Sequence, residues 1–305
     1  MSKPVKIWCR QCHAKYDVSD FPPYTEFECP ECGSLLRTPE PFGRYLLEKI
    51  CGTGGTAKIY RALDPVLARR VAVKIKTLVN PDTGEYEEFY LQEAQLFSPV
   101  NHPAVVPVYD CGILDDKEFL VMQFMDGGNL EFHMKNNSLP DFKALLNIFA
   151  NITGGLHFLH ERFKIVHHDV KPSNILLDLS GQSKLADFDL ADVRMDNDLS
   201  TPCAEWGSPG YISPERLLSG GEDFRGDIFS LGATFYELLS GITPFGITGE
   251  PAELLERRRT RPQLLCELDS RVTEEFSEVV NSMLDFDPAA RPRYPEIIRA
   301  LSKYC

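Results

Sequence analysis

The stretch His167-His168-Asp169-Val170-Lys171-Pro172-Ser173-Asn174, followed thirteen residues after its asparagine by Asp187-Phe188-Asp189, decides how the rest of this 305-residue sequence is read. Taken singly, its polar residues have ordinary structural uses. Asp169 suits a cap or a turn, Asn174 a turn, and His167 a hydrogen-bonded core position. Taken together, a carboxylate, a lysine two residues on, an asparagine five residues on and a second carboxylate beyond them are hard to explain that way.

Composition sets the frame around this stretch. Hydrophobic residues at 43% and charged residues at 25% describe a folded globular chain. Its length suits one large domain plus a small one, or two of ordinary size. With 32 basic against 45 acidic residues the net charge is −13. Such a surface repels phosphate backbones and anionic headgroups, so nucleic acid is not the expected partner. No apolar run reaches the about 18 residues a membrane span needs. The start, Met1-Ser2-Lys3-Pro4-Val5-Lys6-Ile7-Trp8-Cys9, lacks the apolar core of a secretory signal, and a cytoplasmic location is expected. Of nine cysteines, Cys51, Cys111, Cys203, Cys266 and Cys305 are scattered and are expected as reduced thiols.

The other four cysteines form a pattern. Cys9 and Cys12, then Cys29 and Cys32, are two Cys-x2-Cys pairs separated by sixteen residues. Two residues between thiolates let a tight knuckle aim both at one metal, and two knuckles complete a tetrahedron around Zn2+. Gly33 follows the second pair, where a knuckle often needs positive φ, and Val5-Lys6-Ile7-Trp8 and Thr25-Glu26-Phe27-Glu28 are short β-prone runs. The module, residues 1–37, resembles a zinc ribbon. Its equal numbers of acidic and basic side chains give no phosphate-binding face, and a four-cysteine site is closed to catalysis. A metal-stapled module that docks on a protein partner, or on its own neighbouring domain, is the expectation. Thr38-Pro39-Glu40-Pro41 reads as a stiff break, so residues 38–43 are expected as a linker and 44–305 as the second domain.

Within that second domain the opening stretch resembles the catalytic loop of protein kinases, H-R-D-x-x-x-x-N, and Asp187-Phe188-Asp189 resembles their D-F-G. Further motifs follow the family's order. Gly52-Thr53-Gly54-Gly55-Thr56-Ala57-Lys58-Ile59 resembles the glycine-rich turn, and Val71-Ala72-Val73-Lys74 the strand with the phosphate-binding lysine, its alternation placing Ala72 and Lys74 on one face. Glu93 stands nineteen residues later, in Leu91-Gln92-Glu93-Ala94-Gln95-Leu96-Phe97, where the family's ion-pair glutamate stands. Lys117 to Leu130 resembles the last strand and the hinge. Leu145, Phe149, Ile152, Leu156 and Leu159 recur at helical spacing and are read as core. Gly207 to Glu215 resembles the substrate loop ending in A-P-E, with Ser213 for the alanine. Asp227-Ile228-Phe229-Ser230-Leu231-Gly232 resembles a central buried helix, and Arg291 the partner of Glu215. Arg257, Arg258, Arg259 and Arg261 are read as an exposed helix face.

The resemblance implies an α+β, bilobal kinase-like fold: a small β-rich N-terminal lobe and a large, mostly helical C-terminal lobe, preceded by the zinc ribbon. It implies transfer of phosphate from ATP to protein substrates, with serine or threonine as acceptor because Lys171 follows Asp169 by two. Asp169 would orient the hydroxyl and accept its proton, Lys171 would neutralise the γ-phosphate, and Asp187 and Asn174 would hold Mg2+. Lys74, fixed by Glu93, would hold the α- and β-phosphates. Nucleotide contacts are implied for Cys51, Gly52, Thr53, Gly54, Gly55, Ala57 and Ile59, for Ala72, for Met122, Gln123 and Met125, and for Leu176. Two departures stand out. Asp189 replaces a glycine whose φ freedom lets the metal loop flip. His168 replaces an arginine that often pairs with a phosphorylated loop, and a histidine is expected to be only partly charged. Phosphorylation at Ser200, Thr201 or Ser208 is therefore not expected to be required. Two readings remain open, an active serine/threonine kinase and a scaffold that keeps the shape without the chemistry.

Overall fold

Two cysteine knuckles shape the start of the chain. The computed structural model describes residues 4–9, 11–54, 57–78, 92–198, 203, 207–248 and 250–304; Gly55, Leu91, Ser200, Thr201 and Cys305 lie outside the described residues. The chain divides into two units, residues 1–98 with 107–124, and residues 99–106 with 125–305. In the first unit, strand β1 (Lys6–Trp8) pairs with β2 (Lys15–Asp17), and β3 (Glu26–Glu28) with β4 (Leu35–Arg37). Each hairpin turns on a cysteine pair. The residue after the second cysteine is left-handed both times, His13 at φ 61° and Gly33 at φ 74°.

The expected linker is instead built into the sheet that follows. β5 (Glu40–Phe42) pairs with β6 (Tyr45–Gly54), at the edge of a six-stranded antiparallel sheet in the order β5, β6, β7 (Ala57–Asp64), β8 (Arg69–Thr77), β10 (Lys117–Gln123), β9 (Val108–Leu114). Thr38, read as part of a break, is buried, and its amide donates to the Thr25 carbonyl at 2.9 Å. Proline is tolerated here because Pro41 stands on an edge strand. Alternation along β8 divides its residues as period 2 dictates. Val71 and Val73 are fully buried in a core with Tyr45, Leu47, Ala62 and Val121, while Ala72 and Lys74 face the other way. Helix α1 (Gln92–Phe97) completes this unit.

The second unit is mostly helical. After β11 (Gly128–Asn129) come α2 (Leu130–Lys135) and α3 (Phe142–Phe163). Asp141 caps α3 by accepting the Ala144 amide, Lys164 ends it in the left-handed region, and Leu145, Phe149, Ile152, Leu156 and Leu159 are all buried. Strands β12 (Ile165–Val166), β13 (Ile175–Leu177), β14 (Ser183–Leu185) and β15 (Asp192–Val193) follow. β13 lies between β11 and β14, and β12 pairs with β15, so the loops 167–174 and 186–191 leave adjacent ladders. Then come α4 (Pro214–Ser219), α5 (Phe224–Ser240), α6 (Pro251–Arg258), α7 (Leu265–Leu268), α8 (Glu274–Met283) and α9 (Tyr294–Leu301). Helix α5 is buried almost all round, and its close approach to α8 needs Gly232, where a Cβ would meet the Met283 Cβ at 2.9 Å. Among the described residues no helix is long and apolar enough to cross a membrane.

Candidate active site

In the first unit the lysine is presented by its strand and held by a helix. Lys74 Nζ donates to Glu93 Oε2 at 3.0 Å, with the lysine side chain only 8% exposed. Cross-strand pairing sets its neighbours: Lys74 lies opposite Ile59 on β7 and Leu120 on β10, and Ala72 opposite Met122. Directly opposed residues share a face, so Ala57, Ile59, Ala72, Lys74 and Met122 form one surface of the sheet. Gly52 pairs with Ile59 and Gly54 with Ala57, placing Cys51, Gly52, Thr53 and Gly54 on the run into the β6–β7 turn. The Gln123 amide is already used by the Pro107 carbonyl at 3.2 Å. Met125 and Leu176 belong to the second unit, Met125 buried and Leu176 half-buried on β13.

The second unit holds the remaining polar set. Asn174 Nδ2 donates to both the carbonyl and Oδ2 of Asp169, at 2.9 and 3.1 Å. Lys171 Nζ lies 2.6 Å from Asp169 Oδ2. Burial would raise the Asp169 pKa, but Lys171 and neighbouring donors outweigh it and hold the carboxyl below its ordinary value. The β13–β14 hairpin carries Asn174 to the start of the next loop, where its carbonyl accepts the Ala186 amide at 2.9 Å, one residue before Asp187. Asp187 is left-handed at φ 66°, a conformation that aspartate tolerates better than most residues. Asp189 is exposed and is not among the left-handed residues, so its replacement of glycine costs no strain in this conformation. His167 is fully buried; it accepts the Asp169 amide at Nδ1 and faces the Ala186 carbonyl with Nε2, and burial pushes its pKa down to about 4. It is a neutral core histidine that ties the two loops together.

A serine completes the set. Ser208 Oγ donates to Asp169 Oδ1 at 2.9 Å and accepts from Lys171 Nζ at 2.7 Å. Ser208, named above only as a residue whose phosphorylation is not expected to be required, thus has its hydroxyl engaged by the Asp169 carboxylate itself. The sequence places Ser208 beside Gly207 and Pro209, a turn signal that gives no hint of this contact.

The half-charged imidazole expected at His168 is also overturned. Its side chain is fully buried, with Nδ1 2.8 Å from Glu222 Oε1 and Nε2 2.9 Å from Asp192 Oδ1. Two carboxylates can be bonded by the two ring nitrogens only if both carry protons. Burial alone would lower the pKa, but contacts with Asp192, Cys203 and Glu222 drive it up to about 12. His168 is thus an imidazolium. Asp192, further bonded by Arg194, is held at about 2 against the effect of burial. Glu222 also faces Arg216 at 3.1 Å and accepts from Ser213, which caps α4. A serine in place of alanine there supplies both the cap and this hydrogen bond. The His167 and His168 amides donate to Asp227 at 2.7 and 2.8 Å, so the first turn of α5 fixes the loop backbone.

Two arginines hold the segment after Gly207. Arg291 makes a two-pronged pair with Glu215, both contacts 2.7 Å and both residues buried. Arg258 is not on an exposed face. It is 1% exposed, and donates to the carbonyls of Ile212 at 2.8 Å, Pro209 at 2.7 Å and Leu254 at 3.0 Å. Its guanidinium stands over Phe229 and Phe245. Arg257, Arg259 and Arg261 remain largely solvated ion pairs with nearby glutamates.

Away from these loops, the cysteine sulfurs converge. Cys9 and Cys32 are 3.5 Å apart, Cys12 and Cys29 3.6 Å, and all four lie within 4.8 Å of one another. A tetrahedron with arms of about 2.3 Å has edges of about 3.8 Å, so the four could hold one zinc ion. The hydroxyl of Ser34 lies 3.0 Å from Cys9 and that of Tyr16 3.0 Å from Cys29, outer partners that suit bound thiolates.

A strand lysine fixed by a helix glutamate in the first unit, and in the second a loop aspartate fixed by lysine and asparagine beside a second, left-handed aspartate, are the features of a protein-kinase-type domain. The family model for the protein kinase domain matches residues 45–301, and the chain belongs to that family. It is 36% identical over 203 residues to the serine/threonine-protein kinase PrkC of Bacillus subtilis, covering 67% of this chain and 31% of that protein. It is 34% identical over 252 residues to the serine/threonine-protein kinase PknL of Mycobacterium bovis, covering 81% and 62%. Against the serine/threonine-protein kinase PknB of Mycolicibacterium smegmatis the identity is 32% over 275 residues, covering 87% and 43%. The chain thus spans less than two thirds of the length of each of these relatives.

Proposed function

We propose that this chain transfers the γ-phosphoryl group of ATP to serine or threonine hydroxyls of protein substrates. One observation carries the reading: an aliphatic hydroxyl, that of Ser208, already donates to the deprotonated Asp169 and accepts from Lys171. An acceptor alcohol needs that environment, a carboxylate to orient it and take its proton and an ammonium to offset developing charge. Asp169 would orient the substrate hydroxyl, Lys171 would neutralise the transferred group, and Lys74, set by Glu93, would hold the remaining phosphates. Asp187 and Asn174 would hold Mg2+, which supplies charge neutralisation when bound. Asn174 suits that role because its amide nitrogen is committed to Asp169, while among the described residues its oxygen is met only by the Ser173 hydroxyl at 3.4 Å, a long contact that an ion would replace. The relatives' names and the lysine two after Asp169 support serine or threonine as acceptor.

Residues 1–37 are, on this reading, a zinc ribbon with Cys9, Cys12, Cys29 and Cys32 as ligands and a protein as partner. Thiolate ligands require reduced cysteines, which supports a cytoplasmic location. The deciding experiment compares wild type with Asp169→Asn and Asp187→Asn for Mg2+-dependent transfer from ATP to the chain itself and to a generic protein. Loss of transfer in both variants is expected; equal background transfer in all three would leave only the scaffold reading.

A further inference from the structure

The cysteine module and the sheet of the first unit enclose a cavity of about 710 Å3 that none of the catalytic residues line. Its floor is the sheet face that carries Ala57, Ile59 and Lys74, continued along β7 to Arg61 and Leu63, with Leu46 opposite Leu63. Its roof is Ile7 and Trp8 of β1 and Leu35 to Arg37 of β4. Large apolar side chains stand open at this site, Trp8 at 44% and Leu35 at 67% exposure. The β7–β8 turn, whose Pro65 and Ala68 line the cavity, adds exposed Val66 and Leu67. A contiguous exposed apolar patch of this kind marks an interaction site.

Two further observations choose the occupant. Among the described residues β1 pairs only with β2, and β4 only with β3, so each presents an open strand edge, and both strands line the cavity. Open edges carry unpaired amides and carbonyls that an extended peptide satisfies by strand addition. Charge sets the second requirement. The lining holds Arg37, Lys49 and Arg61 against one carboxylate, Glu48, which Arg61 already neutralises at 2.6 Å. Among the described residues neither Arg37 nor Lys49 enters an ion pair, and a cationic lining in a chain of net charge −13 selects an acidic ligand. We propose that this cavity docks an extended segment of a partner protein in which acidic residues alternate with apolar ones. The apolar side chains enter between Leu46, Leu63 and Leu35, and the carboxylates meet Lys49 and Arg37.

The test is fluorescence anisotropy on the full chain with a fluorescein-labelled peptide of about eight residues, enough to run along a strand edge, alternating aspartate with leucine. A companion peptide carries lysine for each aspartate. Saturable binding of the acidic peptide alone is expected, weakened about tenfold by Lys49→Glu combined with Leu35→Asp. Lys49→Glu by itself changes only an exposed side chain and should weaken binding about threefold, so the outcome does not hinge on the folding of the double variant. Equal binding of both peptides, binding of neither, or indifference to both variants overturns the proposal. Displacement of the bound probe by laurate but not by unlabelled acidic peptide overturns it as well, assigning the cavity to a small amphiphile. The Asp169→Asn chain should bind the peptide as wild type does, so a failure here is separate from a failure of phosphoryl transfer.

Discussion

Replacing His168 tests whether a buried imidazolium locks the catalytic loop. In the folded chain the ring stays protonated up to about 12, whereas an unfolded histidine titrates near 6.5. The folded pKa is raised, so this group's stabilisation is fully present below pH 6.5 and is lost as pH rises toward 12. At pH 7 the unfolded ring holds about a quarter of a proton and the folded ring a whole one. The linkage relation then gives a loss of roughly 2–3 kcal/mol between pH 7 and pH 9 from this residue alone. Neighbouring groups do not mimic it. His167, lowered to about 4, makes stability rise with pH between 4 and 6.5, and Asp227, raised to about 7, makes stability fall between 3.8 and 7; both effects are complete below pH 9.

His168→Arg keeps the charge and cannot titrate in this range, so it isolates the effect. Urea unfolding at pH 7, 8 and 9 should show wild type losing roughly 2–3 kcal/mol relative to the arginine variant between the two ends of that range. His168→Gln should cost about 3–5 kcal/mol at pH 7, because it leaves the Glu222 and Asp192 carboxylates without their shared cation. Adding Glu222→Gln to His168→Gln should return part of that loss, since the buried carboxylate, then still paired with Arg216 but no longer with the imidazolium, is gone. A wild-type curve parallel to that of His168→Arg from pH 7 to 9 would refute the imidazolium.

Three other outcomes follow from the site. Arg258→Met removes the donors to the Pro209 and Ile212 carbonyls and should raise KM for a protein substrate about tenfold while leaving KM for ATP unchanged, measured by steady-state kinetics with each substrate varied in turn. Ser208→Ala should lower kcat by about tenfold because Asp169 and Lys171 lose a shared partner, whereas alanine at both Ser200 and Thr201 should leave kcat within about twofold; radiolabel transfer from ATP separates the two. Zinc analysis should find one ion per chain, lost in Cys29→Ser, and chelation should abolish the chiral near-ultraviolet signal of Trp8 and Tyr16 without removing the helical signal.

The parts of this fold that are legible in sequence are those fixed by local spacing. Val71 to Lys74 alternates, so the face of Lys74 follows from period 2, and one short helix reaching the strand supplies Glu93. Asp169, Lys171 and Asn174 lie within six residues of one another, and a single loop conformation unites them. The surroundings of His168 are different in kind. Asp192 and Glu222 stand 24 and 54 residues away, on segments whose own patterns say nothing of a histidine, and a pKa set by such neighbours has no local signature. Arg258 did leave a trace. It follows Leu254 by four in its helix, and Leu254 and Arg258 are the two residues buried there, so one arginine of the run belonged to the apolar face. Thr38 to Phe42 was opaque because prolines that argue against a central strand are permitted on an edge.

How the site is switched then turns on His168 rather than Asp189. Asp189 carries no left-handed strain, so the loop conformation observed is one that aspartate holds at no backbone cost, and the strained position is Asp187 before it. At His168 both ring nitrogens are taken by carboxylates of this chain, and the positive charge that an activating phosphate would seek is already compensated. The two carboxylates are not equivalent: Glu222 is 2% exposed and shared with Arg216, while Asp192 is 38% exposed. A phosphate could reach the imidazolium only by displacing Asp192, and the pair it would replace is already bonded by Arg194 as well. The exchange gains little, since one anion substitutes for another already in place. The geometry therefore favours a catalytic loop that is locked by its own side chains, and it predicts transfer activity in chain never phosphorylated at Ser200 or Thr201. Phosphatase-treated protein should turn over at the rate of untreated protein from the first cycle, with no lag; a lag that shortens as phosphate accumulates would show that the internal carboxylates do not suffice.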